Sequence, residues 1–218
     1  MAVEGNVFYS TQRTNNTTAG LYAELLQTAT NIPVGLFENS GNNGHWNTYY
    51  RNPYWTRENV RNTSVSDLFS GQVNLTYTFN KNISAIWRAN TRLTNTGATN
   101  YTNAFTKAED VYFSTLNRTV ISNYGDSSSF ARVINSDFLV NFDYELTSKL
   151  DFNANIGNTV NDSYSKTNSV GGTEINVLGF YNYTNLLKPT LASWLNNTYA
   201  MSRNVAVFGN FDFNYGKF

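Results

Sequence analysis

Cysteine is absent from this chain, which removes disulfide staples, thiolate metal sites and thiol catalysis together. Charge is scarce as well. Asp, Glu, Lys and Arg make up 14% of the sequence, against roughly 25% in ordinary soluble domains, and 15 basic residues balance 15 acidic ones. With no net charge and no Lys/Arg stripe, nothing electrostatic points to nucleic acid. His45 is the only histidine, so a catalytic triad or a His-based metal site would have to be built on it within an Asn/Gly loop, and it reads as a solvated loop residue. Glu109-Asp110 lacks the second, opposed carboxylate pair that acid/base work needs, and reads as loop charge. These gaps point to a protein that is not an enzyme and holds no cofactor and no metal. No apolar run approaches about 18 residues, which excludes a transmembrane helix. Met1 to Gly5 has neither the basic head nor the apolar run of a signal peptide.

Asn, Thr, Ser and Tyr take the place of charge, and aromatic residues reach 16% of the chain, with 15 Tyr and 15 Phe. Such rings suit boundaries between apolar and wet surroundings. Two segments, Leu75 to Ala85 and Phe142 to Phe152, superpose without a gap: an alternating strand, a very short polar turn and a second alternating strand. Their apolar residues keep one phase, namely Val73, Leu75, Tyr77, Ile83, Ala85, Trp87 and Ala89, then Val140, Phe142, Tyr144, Leu150, Phe152, Ala154 and Ile156. The other phase is polar, with Gln72, Asn74, Thr76, Ser84, Arg88 and Asn90, then Asn141, Asp143, Asp151, Asn153 and Asn155; Ile86 and Leu139 break it.

Connections are uneven along the chain. The pattern predicts a first strand over Val3 to Ser10, hairpins over Leu68 to Thr94 and Ser136 to Thr159, and a last strand over Val205 to Tyr215. Long polar excursions separate them: Thr11 to Ser66 with a helix at Leu21 to Leu26, Asn95 to Arg132 with a ribbon over Val111 to Ser122, and Asn161 to Arg203. Tyr77, Tyr144 and Tyr215 close their strands in the apolar phase beside the short turns, as an interfacial girdle would. Strands of about ten residues match the reach of a tilted strand across a bilayer core. The expected fold is all-β: an antiparallel up-and-down transmembrane β-barrel segment of about six strands, with short periplasmic turns and long extracellular loops. Alternation also builds sandwiches whose apolar faces turn inward, so a soluble extracellular β-sandwich that binds carbohydrate is the alternative left open.

Loop aromatics carry what functional content the residues have. Trp46, Tyr49, Tyr50, Tyr54, Trp55, Tyr181 and Trp194 sit among Asn and Asp, a pairing that stacks rings on sugar or peptide while amides bond its polar groups. Packing of the loops on one another or on a lid is the competing role.

The run Asn52-Pro53-Tyr54-Trp55, followed by Phe69 to Tyr77, Ile83 to Ala85 and Arg88-Ala89, resembles the barrel of SusC/RagA-type TonB-dependent transporters of Bacteroidota. Asn135 to Val140 with Leu150 to Gly157 is similar to that family's next hairpin, Phe180 to Asn185 to its aromatic loop segment, and Val207 to Tyr215 to its following strand. The resemblance covers nearly the whole chain in family order. It implies that residues 1–218 are an interior slice of a barrel of about 22 strands, lacking plug, signal peptide and C-terminal strands and located in the bacterial outer membrane. It further implies import of glycans or oligopeptides beneath a SusD-like surface lipoprotein, powered through the TonB complex. Strands would then separate membrane lipid from a polar lumen, and Trp46, Tyr49, Tyr54, Trp55, Tyr181 and Trp194 would touch substrate or lid.

Overall fold

Backbone pairing carries the two-residue sequence period across the molecule as one antiparallel sheet. The computed structural model describes residues 1–17, 20–26, 28–31, 33–38, 52–105, 120–190 and 196–216. Strand β1 (Ala2–Asn16) is followed by helix α1 (Gly20–Leu26) and helix α2 (Pro53–Asn59), then by β2 (Val60–Asn80), β3 (Ile83–Thr102), β4 (Asn123–Thr147), β5 (Leu150–Ile175), short β6 (Leu186–Pro189) and β7 (Asn196–Tyr215). The sheet runs β1-β2-β3-β4-β5, with β6 and β7 both pairing with β5 at different heights. Among the described residues β1 and β7 each pair on one side, so the sheet is open.

Register sorts the two faces. Val3, Leu75, Trp87, Phe138, Asn158 and Val207 form one row across six strands, and Tyr77, Ala85, Val140, Ile156 and Gly209 form the next but one. On each central strand the apolar stretch covers about ten residues, such as Ile83 to Leu93 on β3 or Leu150 to Val160 on β5, and ends on a polar residue, Asn95, Arg132, Asp162 or Arg203. At about 3.3 Å per residue and a tilt near 40°, ten residues rise about 25 Å, the height of an apolar barrel band. Nothing among the described residues covers this face: Val207 is 78% exposed and Phe213 65%. Val73, Leu75, Phe142 and Phe152, which a sandwich would seal, are none of them buried. The described residues therefore form a single layer and not a sandwich.

The strands exceed the expected ten residues, β5 reaching 26 and β4 25. Much of what reads as excursion is strand: Thr11 to Asn16 extend β1, Val60 to Ser66 open β2, Asn95 to Thr102 extend β3 and Asn161 to Ile175 extend β5. Above the band polar residues enter both phases, with aromatic residues such as Phe130, Tyr164 and Tyr199 scattered among them, so no regular hydrophobic period marks these extensions. The helix expected at Leu21 to Leu26 is present as α1, whereas most of the ribbon expected over Val111 to Ser122 lies outside the described residues.

Both superposable hairpins share one irregularity. Thr78 faces Ser84 and Asn80 faces Ile83, leaving Phe79 as an extra residue; Glu145 faces Asp151 and Thr147 faces Leu150, leaving Leu146 in the same role. Asn80 Oδ1 accepts from Asn82 N at 2.8 Å and Ile83 N at 2.9 Å, and Lys149 N donates to Thr147 Oγ1 at 3.3 Å, so each two-residue turn is tied by the side chain that opens it. Ile83 pairs with Phe142 while β4 runs on to Thr147, so the second turn overhangs the first. A stagger of this kind accompanies strand tilt in barrels. Gly157 allows a close approach: a Cβ there would lie 2.6 Å from Phe138 O and 2.9 Å from the Phe208 ring. Replacing Asn80 with Ala should lower unfolding free energy by about 1 kcal/mol in detergent, since two turn N–H groups lose their acceptor. Adding Thr147→Ala should add its own smaller loss independently, as read by urea titration of the single and double variants.

Candidate functional site

The face opposite the apolar band is polar, with rows of amides and hydroxyls beside a row that holds Glu4, Arg88 and Asp137. Asn6, Gln72, Asn90, Asn135, Asn161 and Asn204 form a row across all six long strands. Asn135 Nδ2 donates to Asn90 Oδ1 at 2.9 Å and Asn161 Nδ2 to Asn135 Oδ1, so neighbouring amides chain together. Six residues toward the loops, Gln12, Ser66, Thr96, Ser129, Thr167 and Thr198 form a hydroxyl-rich row, with Ser66 to Thr96 at 2.9 Å and Ser129 to Thr167 at 3.1 Å. Amides and hydroxyls both donate and accept, so these rows can hydrogen-bond an uncharged polar solute. Ile86, Leu139 and Phe208 interrupt the polar face in one row, and Phe8, Leu68 and Val133 interrupt it further toward the loops. The polar phase is visible in sequence, but the alignment of its amides at one height appears only once the register is known.

Burial concentrates at the loop end. Asn52 caps α2: its Oδ1 accepts from Tyr54 N at 3.0 Å, its Nδ2 donates to Phe37 O at 3.0 Å, and Pro53 occupies the first helical turn. Asn59, at the end of α2, accepts through its backbone from Asn103 N at 3.0 Å, and its Oδ1 accepts from Asn103 Nδ2 at 3.0 Å. Tyr181 OH donates to Asn103 Oδ1 at 2.9 Å. The Tyr181 ring stacks on Tyr101, with centroids 3.6 Å apart and planes at 14°. Tyr124, Ile175 and Leu186 form the small core beneath, with Tyr101, Tyr181 and Tyr183 packed against it. Two loops and the top of β3 are thereby locked by one asparagine and one pair of rings.

The six residues expected to touch substrate or lid have different surroundings. Trp46, Tyr49 and Trp194 lie outside the described residues, as do Tyr50, His45 and Glu109-Asp110. Trp55 is buried, edge-on to Phe105 at 6.1 Å. Tyr54 is half-buried, with the Arg57 guanidinium 5.2 Å from its ring centre. Tyr181 is half-buried in its stack on Tyr101, a residue that shares β3's outward phase with Trp87 and Leu93. The Tyr181 loop thus lies over the outer side of the wall above the band. Asn52, Asn59 and Asn103 organise this end without standing out in the sequence, because asparagine is common along the whole chain. The Asn-Pro pair before Tyr54 is the one local signal of a helix start there.

Burial raises the Tyr101 phenol above its usual range, with Tyr181 adding to it, and burial then Asp126 do the same for Tyr124. Folding therefore favours the neutral phenols, a contribution intact below the unfolded value of about 10 and lost as pH rises through the higher folded values. Tyrosinate absorbance should show a late-titrating component above pH 10 that Tyr101→Phe and Tyr124→Phe each reduce.

No known family profile matches the sequence, and none of the curated proteins matches it. Solved structures do match. The chain superposes on the RagAB peptide importer in its closed-closed state with a TM-score of 0.56 and 12% identity, covering 77% of this chain and 18% of that chain. For the open-open state of the same importer the TM-score is 0.50 and the identity 14%, again over 77% of this chain and 18% of that one. The chain thus spans less than a fifth of the importer chains it matches. At such identity the likeness is one of fold: this antiparallel sheet is built like part of a RagAB importer chain, the architecture to which the sequence resemblance pointed.

Proposed function

We propose that the chain is a wall segment of a TonB-dependent transporter in the bacterial outer membrane, of the SusC/RagA type. One observation carries this reading: a single-layer sheet with an uncovered apolar band of membrane height on one face and rows of amides and hydroxyls on the other. The apolar face meets acyl chains, and the amide face lines the lumen. The fold likeness to the RagAB peptide importer supports import of oligopeptides, glycans being what the sequence resemblance adds, and the amide and hydroxyl rows suit both substrates. In this reading the loop end, with Trp46, Tyr49, Tyr54, Trp55, Tyr181 and Trp194, meets substrate or a SusD-like surface lipoprotein, and the TonB complex supplies energy to the complete transporter. The segment performs no catalysis.

Trp87 tests the orientation, since it lies mid-band on the apolar face with its Nε1 donating to Ser136 Oγ at 2.9 Å. In vesicles, the fluorescence component lost in Trp87→Phe should be quenched by lipids brominated along their acyl chains and spared by aqueous iodide. Quenching by iodide, together with a monodisperse chain in detergent-free buffer, would overturn the assignment.

A further inference from the structure

The outward face changes character where the apolar band ends on its loop side. On β4, β5 and β7 the last apolar residues are Ile134, Val160 and Val205, and the next positions in the same phase are Arg132, Asp162 and Arg203. Arg203 Nε and Nη2 donate to Asp162 Oδ2 at 2.8 and 2.7 Å, and Arg132 Nη2 donates to Asp162 Oδ1 at 3.2 Å. The carboxylate sits lowest, its side chain 17% exposed, while the Arg203 side chain is 70% exposed and that of Arg132 42%. Asp162 therefore holds two guanidinium groups side by side, both partly exposed and only in part engaged by its two oxygens. Arg132 Nε is buried without a partner among the described residues. Lys166, two residues beyond Tyr164 on the same face of β5, is exposed and adds a third cation.

One carboxylate against three cations leaves this corner with a surplus of positive charge. Asp67, the carboxylate on the same face of β2, accepts from Tyr9 OH at 3.0 Å and lies three strands from β5, about 14 Å away. Asp126 stands four residues beyond Phe130 on β4, about 13 Å along the strand. Aromatic rings occupy the same height: register sets Arg132 opposite Tyr164, and Lys166 opposite both Phe130 and Tyr199. Phe130 and Tyr164 have ring centres 6.3 Å apart, and the Arg132 guanidinium lies 5.9 Å from the Tyr164 ring centre. Aromatic rings at the end of an apolar band mark the headgroup level, and phosphate is the anion held at that depth.

We propose that Arg132, Lys166 and Arg203, organised by Asp162, dock the phosphate of a lipid headgroup in the leaflet on the long-loop side. The proposal rests on the apolar band facing acyl chains. A free anion would meet the same donors, but the adjoining Ile134, Val160 and Val205 favour a phosphate that arrives on a lipid.

Spin-labelled phosphatidic acid and phosphatidylcholine, each at trace level in phosphatidylcholine vesicles carrying the 218-residue chain, test this. The motionally restricted component should favour phosphatidic acid by about five-fold. The preference should fall to about one in the triple variant Arg132→Gln/Asp162→Asn/Arg203→Gln, which leaves no buried carboxylate unpaired. It should fall partway in Lys166→Gln, which keeps the ion triad. Equal restriction of both lipids by the unaltered chain would overturn the headgroup site alone, whereas no restricted component for either lipid would overturn the lipid-facing orientation beneath it. Millimolar inorganic phosphate should leave the preference in place; its abolition by inorganic phosphate would overturn the assignment to a lipid.

Discussion

From Ala2 opposite Thr76 to Ser169 opposite Asn196, the long strand pairs keep their register with two interruptions, one beside each short turn. That continuity is the constraint on which everything else depends. A slip of one residue in any pair would exchange the faces beyond it, which in the proposed orientation turns Asn and Gln toward hydrocarbon and Phe and Val toward water. Each amide so displaced costs several kcal/mol in an apolar medium. The paired bulges at Phe79 and Leu146 absorb the one irregularity next to the turns, where both faces meet solvent, and so leave the band untouched.

How much of this could be read from the chain follows from where water and lipid differ. In the proposed orientation the two environments face opposite sides of each strand within the band, so alternation is strong; Val73, Leu75 and Tyr77 against Gln72, Asn74 and Thr76 fix strand, face and turn together. Above the band both sides meet water, and segments such as Thr94 to Thr102 carry polar residues in both phases, so β3 shows no edge where it passes Asn95. Tyr77, Tyr144 and Tyr215 stand out in the sequence because they end strands beside short turns, though register places them in three different rows. The opposite level, with Tyr9, Phe130, Tyr164 and Tyr199, needed the register, since those residues lie at unequal distances from any turn.

The candidate site was less legible for a related reason. Aromatic residues in loops announce contact area but not its owner: Trp55 and Tyr181 give much of theirs to Phe105 and Tyr101. Asparagine does the organising. The Asn52 side chain serves backbone groups at a helix start and the Asn59 side chain a carbonyl at the helix end, while Asn103 bridges Asn59 and Tyr181 at a strand end, tasks for which an amide that both donates and accepts is well suited. In a chain where asparagine is everywhere, three structural copies do not stand out.

Strand β5 continues well past Asp162 to Ile175, and at about 3.3 Å per residue that is a mast of roughly 40 Å along its own axis. Whatever the tips carry is therefore held aloft by main-chain pairing and not by the tips' own chemistry. In the proposed transporter, substitutions among the loop side chains would retune what is bound without altering where binding occurs. The height and spacing of the mouth change only when residues enter or leave adjoining strands together.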